Sequence, residues 1–231
     1  MTSTFSKAGN TLIQFLCDAS DRITNKLIPL DICHILLLNI RDSKAPKTAK
    51  KELTCRFLKP GEVAHYSLDR SADLGDEMHK YMQQQSIRCF GALADEQLLG
   101  YCWVADGHVA PEHNSGGQPF LGFGLQLEPS VSYLFKCFVL PSHRGQGVNQ
   151  QLLWQLTRAL INEDKYKLVT TTSWVNRAFQ SSSRRVGFTK IGMAAEWRIL
   201  GKSYYSWSNI HSHGFQLIRP EAHSAVSPQP H

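Results

Sequence analysis

The sequence predicts a mixed α/β fold in which strands 132–140 and 167–174 pair in parallel, and three observations predict it. First, two strand-like runs, 87–93 and 98–105, flank the short polar segment Ala94-Asp95-Glu96-Gln97, the pattern of a hairpin. Second, from residue 132 onward apolar runs suited to strands alternate with amphipathic runs suited to helices, which calls for crossover connections. Third, a glycine turn, Arg144–Asn149, joins the first of those strands to its helix.

The elements follow in chain order. Residues 11–30 carry Leu12, Ile13, Phe15, Leu16, Ile23, Leu27 and Ile28 at roughly helical spacing, with Ser20 and Asp21 as caps for a second short helix. A strand is expected over His34–Ile40, then a basic linker, 41–51, with little to bury. Glu52–Phe57 reads as a strand, Lys59-Pro60-Gly61-Glu62 as a turn into a helix near 61–68, and 74–85 as another helix. The hairpin comes next, then a polar loop, 106–118, and a strand over Phe120–Leu127. The core unit is strand 132–140, helix 149–163, strand 167–174, helix 177–186, strand 188–198 and a last strand at 203–208. Leu152, Leu153, Leu156 and Leu160 form the buried stripe of the first of these helices, and Gly187 stands just past the end of the second. The tail from about 219, with three prolines, is expected to be disordered.

Composition narrows the function classes. At 231 residues with 42% apolar content, the chain can bury a core. Lys and Arg exceed Asp and Glu by 25 to 19, a mild basic excess that suits an anionic ligand such as a nucleotide-bearing cofactor. No basic stripe interleaved with aromatics and no zinc-finger spacing points to nucleic acid. The six cysteines form no C-x-x-C and pair with no histidine at ligand spacing, which argues for buried thiols, a reducing compartment and no structural metal. The longest apolar run, Ile32–Ile40, is too short to span a bilayer, and no secretory signal is evident, so a cytoplasmic setting is expected.

The chemistry concentrates at Val139-Leu-Pro-Ser-His-Arg-Gly-Gln-Gly-Val-Asn149. Gly145 and Gly147 let the backbone approach a ligand, and the first N–H groups of the following helix point outward with the positive end of its dipole. That is a ready diphosphate site. It is neither a P-loop, since Gly147 is followed by Val148 and Asn149, nor a dinucleotide fingerprint, since Gln150 stands where the third glycine belongs.

The stretch Arg144-Gly145-Gln146-Gly147-Val148-Asn149, preceded by Val139-Leu140-Pro141 and followed at a distance by Asn176, Gly187 and Phe188, resembles the GNAT N-acetyltransferase superfamily. The resemblance covers roughly 52–208 and divides the chain into an N-terminal helical extension and linker, 1–51, an acetyltransferase-like domain, 52–210, and a tail, 211–231. It implies a central, mostly antiparallel sheet with one splayed parallel pair and flanking helices. It further implies acetyl-CoA as co-substrate, held by backbone groups of Cys137, Phe138 and Val139 along the pantetheine arm, by Arg144–Asn149 at the diphosphate, and by the side chain of Asn176. The implied acceptor is a small-molecule or peptide amine, attacked directly in a ternary complex, without metal.

The chain departs from the family pattern where proton transfer would be expected. Tyr133 stands where many relatives carry a basic glutamate, and Ser183 where many carry an acidic tyrosine. These two are the candidate base and acid, with His108, Glu112 and His113 as further groups for deprotonating the amine. Asn149 replaces the last family glycine or alanine, either crowding the diphosphate or capping the helix. These departures admit a second reading, a catalytically degenerate module that binds CoA or a partner. The apolar stripe at 11–40 is expected to dock on the domain, with a homodimer contact or a membrane surface as its alternatives.

Overall fold

The computed structural model describes residues 30–46, 53–74, 86–111, 123–199 and 202–218. The expected helices at 11–30 and 74–85, but for Leu30 and Leu74, together with Cys17, Glu112, His113 and the tail from 219, lie outside the described residues.

An eight-stranded sheet organises the chain. Its strands are β1 (Leu30–Asn39), β2 (Thr54–Phe57), β3 (Ile87–Ala94), β4 (Gln97–Asp106), β7 (Val131–Val139), β8 (Lys167–Ser173), β9 (Thr189–Ile199) and β10 (Lys202–Trp207), in the spatial order β10-β9-β1-β8-β7-β4-β3-β2. Every neighbouring pair is antiparallel except β7 with β8. A second sheet, β11 (Phe215–Ile218), β6 (Gly124–Leu127) and β5 (His108–Val109), covers one face. There Phe123, Leu125, Phe215 and Leu217 pack with Trp103, Tyr133 and Phe135. Helix α1 (Pro60–Ser67) adds Val63 to the same core. Helices α2 (Val148–Ile161) and α3 (Arg177–Val186) lie on the opposite face, where Leu152, Leu153, Leu156 and Leu160 are wholly buried. Strands covered on both faces read as continuous apolar runs rather than alternating ones, as in β3 and β4.

The chain does not divide at residue 51. β1 sits in an interior slot of the sheet, antiparallel to β8 on one side and β9 on the other. Cys33, Ile35 and Leu37 face one core, while Leu36 and Leu38 face the other. So the expected strand at 34–40 forms but starts four residues earlier, at Leu30, and the extension assigned to 1–51 supplies a central strand. The tail assigned to 211–231 likewise begins too early, because Phe215–Ile218 is β11, paired with β6. Four residues with only two apolar side chains turned inward carry too weak an alternation to be read as a strand.

At the entry to α1, Arg56 makes two hydrogen bonds to the Glu62 carboxylate, at 2.9 and 2.6 Å, while the Lys59 N–H donates to it at 2.8 Å. The Arg56 hydrogen bond, followed by that amide, lowers the Glu62 pKa to about 2. A lowered carboxylate contributes stability above its ordinary value and loses it as pH falls through the folded-state value. The pair is largely solvated, so its worth is at most about 1 kcal/mol. In Arg56→Met, the acid side of the unfolding curve between pH 4.5 and 2 is expected to flatten slightly, with little change at pH 7, in thermal melts.

Candidate functional site

Strands β7 and β8 part midway. They pair from Val131 with Lys167 to Leu134 with Thr170 and then stop, although β7 runs on to Val139 and β8 to Ser173. Beyond that point each stays bonded only on its outer side, Val139 opposite Gly100 in β4 and Ser173 opposite Cys33 in β1. A bulge accompanies the parting. In the β4–β7 ladder Trp103 pairs with Phe135 and Tyr101 with Phe138, so Lys136 and Cys137 together oppose Cys102. Lys136 adopts φ +45°, a left-handed conformation, two residues past the last β7–β8 pair. Nothing in the local sequence marks Lys136 for this role, since lysine has no preference for that conformation. Its ammonium lies 3.7 Å from Asp73 on the loop after α1.

At the open end the chain makes a single 3-10 turn over Pro141–His143 and then the glycine turn. Gly145 and Gly147 take φ +74° and +85°, and Gly147 is the residue that starts α2. The amides of His143 and Arg144 bond back to the carbonyls of Leu140 and Pro141, and those of Gln150 and Gln151 to Gly147. Between them, the amides of Gly145, Gln146, Gly147, Val148 and Asn149 have no backbone acceptor among the described residues. The turn is braced from outside: Arg144 Nε donates to the Val139 carbonyl at 3.1 Å, and Gln146 Nε2 to the Ser142 carbonyl at 3.0 Å. The result is a row of amide donors at the positive end of a fourteen-residue helix.

The open end of β7, this turn and α3 border a cleft of about 630 Å³. Cys137, Phe138, Val139, all six residues Arg144–Asn149, and Asn176 line it, so the structure gathers every residue expected to hold the cofactor. Asn149 does not cap α2, whose cap residue is Gly147. Asn149 Nδ2 donates to Ser182 Oγ at 2.7 Å, tying α2 to α3. Asn176 caps α3, its Oδ1 accepting from the Phe179 N–H at 3.1 Å. Ser181, Ser182 and Arg185 also line the cleft. Sequence reasoning missed them, although their spacing along α3 from Ala178, which also lines the cleft, is that of one helix face.

The expected base and acid are not in the cleft. Tyr133 is wholly buried, stacked against Phe135, and its hydroxyl shares a 2.7 Å hydrogen bond with Thr171. Burial pushes its pKa well up, so it cannot take a proton at neutral pH. It lies on β7 just before the parting, where both faces of the sheet are covered. Ser183 is also wholly buried, its hydroxyl donating to the Gln180 carbonyl at 3.3 Å within α3. It sits on the helix face turned to the sheet, whereas its neighbour Ser182 faces the cleft. His108 is exposed on β5, paired with Gln126, and does not line the cleft. Tyr133→Phe is therefore expected to cost about 1 kcal/mol of stability, from the lost hydrogen bond, in denaturant titrations. Any turnover the chain has should change less than about threefold, where loss of a true general base costs about 100-fold or more.

The model of the acetyltransferase (GNAT) family matches residues 54–188, a span that runs from β2 to Phe188, two residues past α3, and contains the parted strands and the amide row. The chain belongs to the GNAT acetyltransferase family. Similar solved structures include a Drosophila protein, 15% identical, covering 80% of this chain and 57% of that one with a TM-score of 0.50. Another is a GCN5-related glucosamine N-acetyltransferase region of a fungal multi-domain GH3 β-N-acetylglucosaminidase, 16% identical, covering 81% of this chain and 22% of that one, also at 0.50. A third is the aminoglycoside acetyltransferase AAC(6')-Iy in complex with a CoA bisubstrate analogue, 22% identical, covering 61% and 92% at a TM-score of 0.45. This chain thus spans well under two thirds of the length of the first two, and at these identities the likeness shows the GNAT fold alone. No curated protein matches the sequence. Among the described residues no helix is long and apolar enough to cross a membrane, and no group of His, Cys, Asp and Glu could hold a metal ion.

Proposed function

We propose that this GNAT chain is an acyl-CoA-dependent N-acyltransferase that moves an acetyl group from acetyl-CoA to a primary amine by direct attack in a ternary complex. One observation carries the proposal: the open end of β7, past its last pair with β8, and the row of open amides border the same cleft. An acyl-pantetheine arm satisfies a strand edge as an added strand does, and a diphosphate satisfies amides at a helix start. Acetyl-CoA supplies a thioester carbonyl open to attack by an amine. In this reading the main chain of Cys137, Phe138 and Val139 binds the arm, the turn Arg144–Asn149 holds the diphosphate through the open amides of Gly145–Asn149, and Asn176 borders the arm beyond the parting. A backbone N–H near Phe138 polarises the carbonyl. Holding a neutral amine against the thioester supplies much of the rate, which suits a cleft without Tyr133 or Ser183 as proton carriers. The acceptor is a small molecule or a peptide amine. A cytoplasmic, reducing setting fits the five free cysteines among the described residues.

Calorimetric titration with acetyl-CoA tests this reading, and no heat at millimolar cofactor would end it. Thiol alkylation followed by peptide mapping locates the arm. Cys33, Cys89 and Cys102 are buried and Cys137 is half-buried on the cleft wall, so Cys137 is expected to label readily and to be protected by saturating acetyl-CoA. Labelling of Cys137 unaffected by bound cofactor would put the arm elsewhere.

The burial of Tyr133 and Ser183 favours a second reading, a CoA-binding or partner-binding module without turnover. Thiol release above cofactor hydrolysis, in a panel of amines and peptides, removes that second reading. Binding without any release supports it.

A further inference from the structure

We infer that Arg185 reads the 3′-phosphate of coenzyme A and so sets a preference for CoA over its 3′-dephospho form; the inference rests on the acyl-CoA reading above. The cleft wall carries two arginines and a histidine and, among the described residues, no carboxylate. A diphosphate on the open amides needs none of these cations. Arg144 is already committed, its Nε bonded to the Val139 carbonyl and its guanidinium 5.7 Å from the centre of the Phe138 ring. Arg185 is different: it is exposed and has no acidic partner among the described residues.

Its place along α3 fits a second anionic group. The cleft starts at Asn176, the cap of α3, and follows the helix face of Ala178, Ser181, Ser182 and Arg185, a rise of about 10 Å from Ala178 to Arg185 at about 1.5 Å per residue. Asn149, the last residue of the open-amide row, is bonded to Ser182. Arg185 stands one further turn beyond, on the side away from Asn176 and the parted strands. In coenzyme A the ribose phosphate likewise lies beyond the diphosphate, away from the thioester. A guanidinium fork there matches a phosphomonoester, and a cation in the last turn of α3 also suits the helix dipole. A purely dipolar role would raise helix stability without distinguishing two nucleotides, and this separates the alternatives.

The test uses the full chain with CoA and 3′-dephospho-CoA as probes, titrated by calorimetry at low and at high salt. The wild type is expected to bind CoA about tenfold tighter, with the ratio shrinking as salt rises. Arg185→Ala should bring the ratio close to one, Arg185→Lys should keep part of it, and Arg184→Ala, an exposed neighbour off the cleft wall, should leave it intact. Equal affinities in the wild type, or an undiminished ratio in Arg185→Ala, would overturn the inference while leaving the acyl-CoA reading standing. If neither nucleotide binds the wild type, that reading itself fails, and the inference with it.

Discussion

Gly147→Glu is expected to lower acetyl-CoA affinity at least about 100-fold, equivalent to about 2.7 kcal/mol. Two costs combine. Gly147 sits at φ +85°, and any side chain in that left-handed region strains the turn by about 1–2 kcal/mol. The new carboxylate also enters a row of amides whose fitness for a diphosphate depends on carrying no negative charge of their own. Each charge-assisted amide bond lost is worth about 1.5–3 kcal/mol. Gly145→Ala is the companion. Its φ is +74°, but an added Cβ there meets nothing within 4 Å, so strain is the only charge against it. Calorimetry should show less than about a tenfold loss of affinity for this variant, with melting lowered by about 2–8 °C for a strain of about 1–2 kcal/mol. Gly147→Glu binding as well as the parent would break the link between the turn and the ligand.

The second large effect is expected at a residue outside the cleft. Gly100 in β4 pairs with Val139, and a Cβ at Gly100 would lie 2.8 Å from the Phe138 carbonyl oxygen and 3.2 Å from a Val139 methyl. The nearer of these is backbone, which cannot rotate aside. Gly100→Val must therefore push the end of β7 out of place, and that strand end borders the cleft. Overpacking of this kind costs about 1–3 kcal/mol. Displacing a ligand-binding edge by about 1 Å can cost a further factor of about 100 in rate. Gly91→Ala in β3 is the control. It meets only the Leu58 side chain, at 2.9 Å, which can shift. It should lower the melting temperature yet leave acetyl-CoA affinity within about twofold, because additive, distant sites do not couple. Gly100→Val with unchanged affinity would show that the end of β7 is not a binding edge.

How far the site can be read from the sequence depends on whether a residue's role is local. The glycine turn is local: two glycines between an apolar run and an amphipathic one already specify positive φ, a helix start and open amides, and Gly145, Gly147 and Val148 behave accordingly. Asn176 and Gly187 mark the two ends of α3 for the same reason, one accepting from an amide three residues on, the other taking φ +119°. Tyr133 and Ser183 are the opposite case. Their candidacy came from sequence offsets, but whether a hydroxyl meets the cleft depends on which side of a strand or helix it occupies. One step along α3 separates the buried Ser183 from the cleft-lining Ser182. Lys136 carries no local signal at all, yet it is the bulge residue of β7, because the register of the facing strand β4 sets it.

The sequence alone determined the hairpin, the strand–turn–helix unit, the parallel relation of β7 to β8, and the residues that would surround a bound diphosphate, because hydrophobic period and glycine backbone freedom act within a few residues of chain. Only the tertiary structure decided that Leu30–Asn39 fills the gap between β8 and β9, that β7 and β8 separate after Leu134 and Thr170, and that Arg185 comes to stand beyond the amide row. Those outcomes rest on pairings between segments more than a hundred residues apart, and on one bulge whose register is fixed by the facing strand. Such choices are settled by which long-range packing buries the most surface, and no local pattern carries that information.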